Sequence, residues 1–336
     1  MRYADYPRQT VEDIARLRRR LDAATIPPRR TDHNLIIGTW NIQQFGRVHR
    51  SWEENPGSPK RNLRAMAIIA EIIQRFDVVA IQEVKRDTSG IRMLVEEFLG
   101  PAWSVILSDV SAGQKGNHER LAYLYDTRRV APSGLAGEIV LPPAEEAAVE
   151  QFDRTPYIVG FRSSTDRFAL LTAHIRYGDS PAARLPELHS LARYTAAEIR
   201  DRARFAGAEE TNLIVLGDFN INRRSGDPLF DAFVSTGLVV PEPIREVRTT
   251  YGAEAKHYDQ IAWFMGDLDL LSEGRAGVVD FTGAVFQEMT LRQMSYRVSD
   301  HFPLWVEFII DRSTESMART LGLHPAMPDP LGTVPD

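Results

Sequence analysis

Six short polar clusters stand at the ends of apolar runs in this 336-residue chain. The run 35–40 leads into Asn41, 78–81 into Gln82 and Glu83, and 169–173 into His174. The run 213–216 leads into Gly217, Asp218, Phe219 and Asn220. Tyr258 and Asp259 precede apolar 261–264, and Ser299, Asp300 and His301 precede 302–306. Taken singly, a carboxylate after a strand is ordinarily a turn or cap residue, and an imidazole in an apolar strand is ordinarily a hydrogen-bonded structural group. Six such clusters mean more, because strand ends are rigid mounts that can converge in one cleft. Asp, Glu, Asn and His together are the ligand set of Mg²⁺ or Mn²⁺ beside acid–base groups, with Ca²⁺ a further candidate.

The elements that must position these residues follow from periodicity. A helix is expected over 10–24, with Val11, Ile14, Leu17 and Leu21 on one face and Thr10 with Asp13 as a capping arrangement. Pro27 and Pro28 end it. Strands are expected at 35–41, 77–82, 103–108, 121–125, 157–161, 168–173, 212–216, 258–264 and 303–310, and helices at 63–76, 91–99 and 185–204. Strands with long intervening helices and hairpin-like pairs predict an α/β (α+β) fold, a mixed sheet system covered by helices. The chain divides into an N-terminal helical extension (1–30), one domain (31–312) and a mobile tail (313–336) carrying Pro325, Pro328, Pro330 and Pro335. No internal repeat is evident.

Composition narrows the classes. With 43% hydrophobic residues the chain can bury a large core. No apolar run has the ~18 residues of a membrane helix, and residues 1–10 lack the apolar core of a secretory signal. There is no cysteine, so disulfides and thiolate metal sites are excluded and a metal must take oxygen or imidazole ligands. These features together lead to an expectation of a cytoplasmic protein without stable membrane insertion. The net charge of −6 is unlike a simple nucleic-acid coat, but bound cations can offset both carboxylates and a substrate phosphate.

The ordered series Thr-Trp-Asn-Ile (39–42), Ile-Gln-Glu-Val (81–84), Thr-Ala-His (172–174), Gly-Asp-Phe-Asn (217–220), Tyr-Asp-Gln-Ile (258–261) and Ser-Asp-His (299–301) resembles the endonuclease/exonuclease/phosphatase superfamily. The likeness runs over about 36–309. Within that superfamily, Glu119-Arg-Leu-Ala-Tyr-Leu-Tyr, Phe152-Asp-Arg154-Thr-Pro156, Asn41-Ile-Gln-Gln-Phe-Gly46 and Gln82-Glu83-Val84 resemble the pancreatic-type deoxyribonuclease (DNase I-like) branch. That resemblance implies a four-layer α/β/β/α sandwich of two packed mixed sheets. His174 argues against the abasic-site endonuclease branch, whose motif usually carries Asn. Two positions depart from the deoxyribonuclease pattern. Asn117 replaces a tyrosine that packs into the DNA minor groove, and Gln43 replaces a basic residue.

The implied activity is metal-dependent hydrolysis of a phosphodiester by in-line water attack. Asn41 and Glu83, with Asp300, are expected to hold a divalent cation. Asp218 and Asn220 hold or orient the attacking water, with a second ion at Asp218 as an alternative. His301 with Asp259 and His174 with Glu119 flank the phosphate, one pair as base and the other as acid. Arg154 and Asn220 contact the phosphate. The expected partner is nucleic acid, DNA before RNA. A small phosphoester or lipid headgroup is the second reading, and a non-catalytic binding module the third. No pattern sets an oligomeric state. Lys85-Arg86 and Arg223-Arg224 follow site motifs and are candidates for a rim along a polyanion. Trp52 reads as packing.

Overall fold

The computed structural model describes residues 3–141, 151–163, 166–196, 212–264 apart from 253 and 255, 275–324, and 331, 332 and 334. Two six-stranded sheets form its centre. The first contains β1 (Asn34–Phe45), β2 (Val78–Lys85), β3 (Trp103–Leu107), β4 (Glu119–Asp126), β11 (Ala276–Val278) and β12 (Leu304–Ile309), in the order β11-β12-β1-β2-β4-β3. The second contains β5 (Ala131–Glu138), β6 (Tyr157–Ser163), β7 (Asp166–His174), β8 (Leu213–Asp218), β9 (Leu238–Val239) and β10 (Asp259–Phe264), in the order β5-β6-β7-β8-β10-β9. Each sheet has one parallel pair at its centre, β1 with β2 and β7 with β8, flanked by antiparallel neighbours.

Side-chain alternation divides the core. Leu35 and Ile37 of β1, Val78 and Ala80 of β2, and Leu121 and Tyr123 of β4 face the second sheet, where they meet Val159, Leu171 and Val215. The intervening Ile36, Val79, Ala122 and Leu124 face outward into a separate apolar cluster. A strand's period of two makes both faces apolar only when both are covered. On the outer side of the first sheet lie α1 (Arg8–Ala23) and α2 (Leu63–Ile73), with α3 (Ser89–Met93) running into a π-helical turn over Leu94–Leu99. A single turn, α4 (Gly113–Gly116), leads into β4. Leu188 and Leu191 of α5 (Leu185–Tyr194), with Ala232 and Phe233 of α6 (Pro228–Val234), join the second sheet's cluster. The result is the four-layer α/β/β/α sandwich.

Two buried polar side chains tie the sheets together. Tyr123 Oη on the first sheet donates to Leu170 O (2.7 Å) and lies 3.0 Å from Tyr157 O, both on the second. Gln82 Nε2 donates to Thr39 Oγ1 on its own sheet and Thr172 Oγ1 on the other, each at 3.0 Å.

Several local expectations need correction. Thr10 and Asp13 do not cap α1. The helix begins at Arg8 after Pro7, without a side-chain cap. Asp13 is instead fully buried, and its carboxylate holds Arg64 Nε at 2.8 Å and Nη2 at 2.6 Å, with Arg16 also bound. Ile14, Leu17 and Leu21 of the same helix are buried in the cluster that α2 and the first sheet form. Beyond Asp311 the chain continues into α8 (Ser313–Thr320), whose Ala318 is buried, which leaves the division of the chain at 313 an expectation. The expected extension of the 185–204 helix past 196, and Pro325, Pro328, Pro330 and Pro335, lie outside the described residues. Among the described residues no helix is long and apolar enough to cross a membrane.

The Asp13–Arg64 pair makes α1 an integral part of the fold. Removing one partner of a buried pair leaves the other charge poorly compensated, at a cost of about 3–5 kcal/mol. Asp13→Ala is expected to lower unfolding free energy by about 3 kcal/mol in denaturant titration. A loss below about 1 kcal/mol would show α1 to be a dispensable appendage.

Candidate active site

Strand register assembles the site. In the second sheet His174 pairs across β7–β8 with Asp218, and Asp218 pairs across β8–β10 with Asp259, so three site residues form one row. In the first sheet Asn41 stands opposite Gln82. The parallel strands contribute their C-terminal ends, and the antiparallel β10 and β12 their N-terminal approaches, all at one edge. Gly217 permits this closeness. Its φ is +143°, and an added Cβ would stand 2.1 Å from Ala173 O. Register irregularities after Asn41 and Ile81, with Glu83 in the left-handed region (φ 62°), turn Glu83 out of the ladder.

Asp218 is the electrostatic centre, with 2% of its surface exposed. Its Oδ2 accepts from Asn41 Nδ2 (2.9 Å) and lies 3.6 Å from His174 Nε2 and 3.8 Å from His301 Nε2. Its Oδ1 accepts from Asn220 N (3.0 Å). Burial alone would raise the Asp218 pKa, but the charges of His301 and His174 and these hydrogen bonds hold it below the usual value. Behind each ring stands a second carboxylate. His301 Nδ1 is 2.8 Å from Asp259 Oδ2, and His174 Nδ1 is 3.1 Å from Glu119 Oε2. Burial would lower the His301 pKa, yet Asp259, Asp218 and Asp300 outweigh it and raise it well above the ordinary imidazole value. Asp218, Asp259 and His301 also offer atoms within 4.8 Å of one another, close enough to suit a metal. The short bond between two of the three marks them instead as a proton-holding pair facing a carboxylate.

A cation fits better at the other end of the cluster. Asn41 and Gln43 sit two apart on β1, and both side chains reach carboxylates of the cluster. Asn41 Nδ2 also donates to Glu83 Oε1 (3.0 Å), and Gln43 Nε2 donates to Asp300 Oδ2 (3.3 Å). Both amide carbonyls, Asn41 Oδ1 and Gln43 Oε1, are buried without a hydrogen-bond partner. Two unsatisfied oxygen acceptors beside carboxylates are what a hard divalent cation would fill. Burial, with Glu83 nearby, raises the Asp300 pKa against the opposing charge of His301. Ser299 Oγ fixes the loop by donating to Asn41 O (2.6 Å) and accepting from His301 N (3.1 Å).

Other expected residues lie around this centre. Asn220, in the left-handed region, donates from Nδ2 to Ile175 O (2.7 Å). Arg154 Nε bonds Glu119 Oε2 (2.6 Å), Lys85 Nζ bonds Glu119 Oε1 (3.1 Å), and Asn117 Nδ2 bonds the same oxygen (2.5 Å). Burial would raise the Glu119 pKa, but His174, Arg154 and Lys85 hold it at about 2. The rim expectation needs correcting at two positions. Lys85 turns inward to Glu119, and Arg224 is buried, bonding Gln260 Oε1 and the carbonyls of Ile244, Val247 and Asp259. Arg86 and Arg223 remain exposed. Trp52 packs against Tyr6, ring centroids 4.8 Å apart.

Three supporting residues escaped the sequence reading. Arg61 is buried and donates to the carbonyls of Gln43, Gln44, Arg297 and Val298, tying the loop after Asn41 to the loop before Asp300. Burial lowers its pKa to about 10 despite Glu83. Arg184 is buried and donates to Asn220 O (2.6 Å). Thr172 receives the Gln82 bond, and its place in the Thr-Ala-His motif was the signal available.

Known proteins resemble the chain in sequence and in fold. Residues 38–256 match the model of the endonuclease/exonuclease/phosphatase family. The chain is 31% identical over 290 residues to a deoxyribonuclease of Thioalkalivibrio sp. (strain K90mix), covering 82% of this chain and 71% of that protein. It is 25% identical to rat deoxyribonuclease gamma, covering 83% and 86%. In fold it is similar to the human Nocturnin catalytic domain, with a TM-score of 0.54 at 14% identity over 83% of this chain and 95% of that one. With its strand-end motifs in one cluster and more than half of its length matched by the family model, the chain belongs to the endonuclease/exonuclease/phosphatase family.

Proposed function

We propose that the protein is a divalent-metal-dependent phosphodiesterase that hydrolyses nucleic acid, DNA in the first place. One observation carries the reading. Two imidazoles, each backed by a carboxylate from the opposite sheet, aim Nε2 at the same oxygen of Asp218. The deoxyribonuclease relatives support the choice of nucleic acid as substrate.

In-line hydrolysis requires a deprotonated water on one side of phosphorus and a protonated leaving oxygen on the other. Asp259 fixes the His301 ring through Nδ1, and Glu119 does the same for His174, so each Nε2 faces the phosphate. One ring takes the water's proton and the other gives one to the leaving oxygen. Asp218, with Asn220 holding its second oxygen through the backbone, orients the water. Arg154 has its Nε committed to Glu119, leaving its terminal nitrogens for the phosphate oxygens. Asn41, Glu83 and Asp300 would hold Mg²⁺ or Mn²⁺, with Ca²⁺ as an alternative or companion. A bound cation supplies charge relief to the phosphate oxygens.

His174→Ala and His301→Ala are each expected to lower turnover at least ~10²-fold, the usual loss for a positioned acid or base. Wild-type rates in either folded variant would remove that residue from the mechanism. Glu83→Ala is expected to weaken Mn²⁺ affinity in calorimetric titration, and an unchanged affinity would dismiss Glu83 as a ligand. Supercoiled plasmid, single-stranded DNA, RNA and a phosphomonoester, each tested with Mg²⁺ and with chelator, decide the substrate. Cleavage of the phosphomonoester alone would replace this reading with a phosphatase.

A further inference from the structure

Nearly every aromatic side chain among the described residues is buried or half-buried. The exceptions are Tyr177, 59% exposed, and Tyr296, 47% exposed. A single exposed ring is ordinary. These two, however, are each tied to residues of the proposed active site, Tyr177 by its place shortly after His174 and Tyr296 by a cavity it shares with Gln43.

Tyr177 lies three residues beyond His174. The Arg184 guanidinium covers one face of its ring, 4.3 Å from the centroid, and Tyr258 meets it edge-on at 6.3 Å. Tyr258 in turn lies 6.0 Å from the His301 ring. Arg184 is itself fixed, because it donates to Tyr177 O (2.7 Å) and Asn220 O (2.6 Å). The Tyr177 ring is therefore held at a set tilt by Arg184 and Tyr258, with more than half of the residue's surface in solvent.

Tyr296 follows α7 (Leu291–Ser295), whose start is fixed by a Thr290–Gln293 capping box. With Gln43, Gln44, Arg47 and Arg61 it borders a cavity of about 130 Å³. Gln43 bonds Asp300. The ring thus shares a cavity with the side chain that reaches Asp300.

A polynucleotide crossing a catalytic centre carries bases on both sides of the bond to be cut. Each base has a π-face that stacks on tyrosine whatever its identity. Duplex bases are already stacked on each other, so a tyrosine face is open only to unpaired ones.

We infer that Tyr177 and Tyr296 are stacking platforms for nucleobases on either side of the scissile phosphodiester, which makes single-stranded nucleic acid the preferred substrate. This rests on the phosphodiesterase reading above. The test uses the full chain with Mg²⁺, a single-stranded oligonucleotide, its duplex, and the same strand with abasic sites flanking the cleaved bond.

Tyr177→Ala and Tyr296→Ala are each expected to raise KM for the normal strand about tenfold, a typical loss for one base–aromatic stack, with kcat changed less than about twofold. Tyr→Phe at either position restores KM, because the π-face is kept. On the abasic strand wild type and alanine variants should share one raised KM, and wild type should favour the single strand over its duplex. An unchanged KM in the alanine variants, an equal further loss on the abasic strand, or a preference for duplex overturns the inference while leaving the hydrolase reading intact. A wild-type protein that cleaves no strand overturns both.

Discussion

The buried charge on Asp218 constrains the architecture around it. An isolated carboxylate taken out of water is prohibitively unfavourable unless ion pairs and hydrogen bonds replace the lost hydration. The groups that compensate Asp218 come from β1, β7 and the approach to β12, which means from both sheets. Apart from the Asn220 backbone N–H, none is near it in sequence. The sandwich must close in the observed register before this charge is stabilised, so the electrostatics of the centre and the packing of the sheets are one problem.

Topology solves it with few degrees of freedom. A parallel pair at the centre of each sheet brings two C-terminal ends together, and antiparallel neighbours return their N-terminal ends to the same edge. Gln82 then fixes the two sheets relative to each other one position before Glu83, through Thr39 and Thr172. Arg61 does related work with backbone carbonyls alone. It binds the loops that follow Asn41 and precede Asp300 and brings a positive charge towards the carboxylates without occupying their oxygens.

Much of this was legible in the sequence, because apolar runs report strands and their polar ends report function. The parts that were not legible share physical causes. Strand β5, with Pro132, Gly134 and Gly137, lacks an apolar alternation because it lies at a sheet edge with every second residue solvated. Thr10 and Asp13 have cap-like spacing, but the partner that decides the role of Asp13 is Arg64, 51 residues away. Lys85 and Arg224 looked like surface charge because their carboxylate and carbonyl partners meet them only after folding. The cluster itself was anticipated from residue types, but the meeting of both Nε2 atoms on one oxygen depends on distances that no spacing in the chain encodes.

The two histidine–carboxylate pairs span the sandwich in opposite directions. Glu119 belongs to the first sheet and its imidazole to the second, whereas Asp259 belongs to the second and its imidazole approaches from the first. If one layer slid past the other by even a fraction of an ångström, both couples would be dragged out of line at once. The proposed catalytic centre thus acts as a vernier for interlayer alignment, and turnover should register loosening of the interior at distant positions well before the molecule melts.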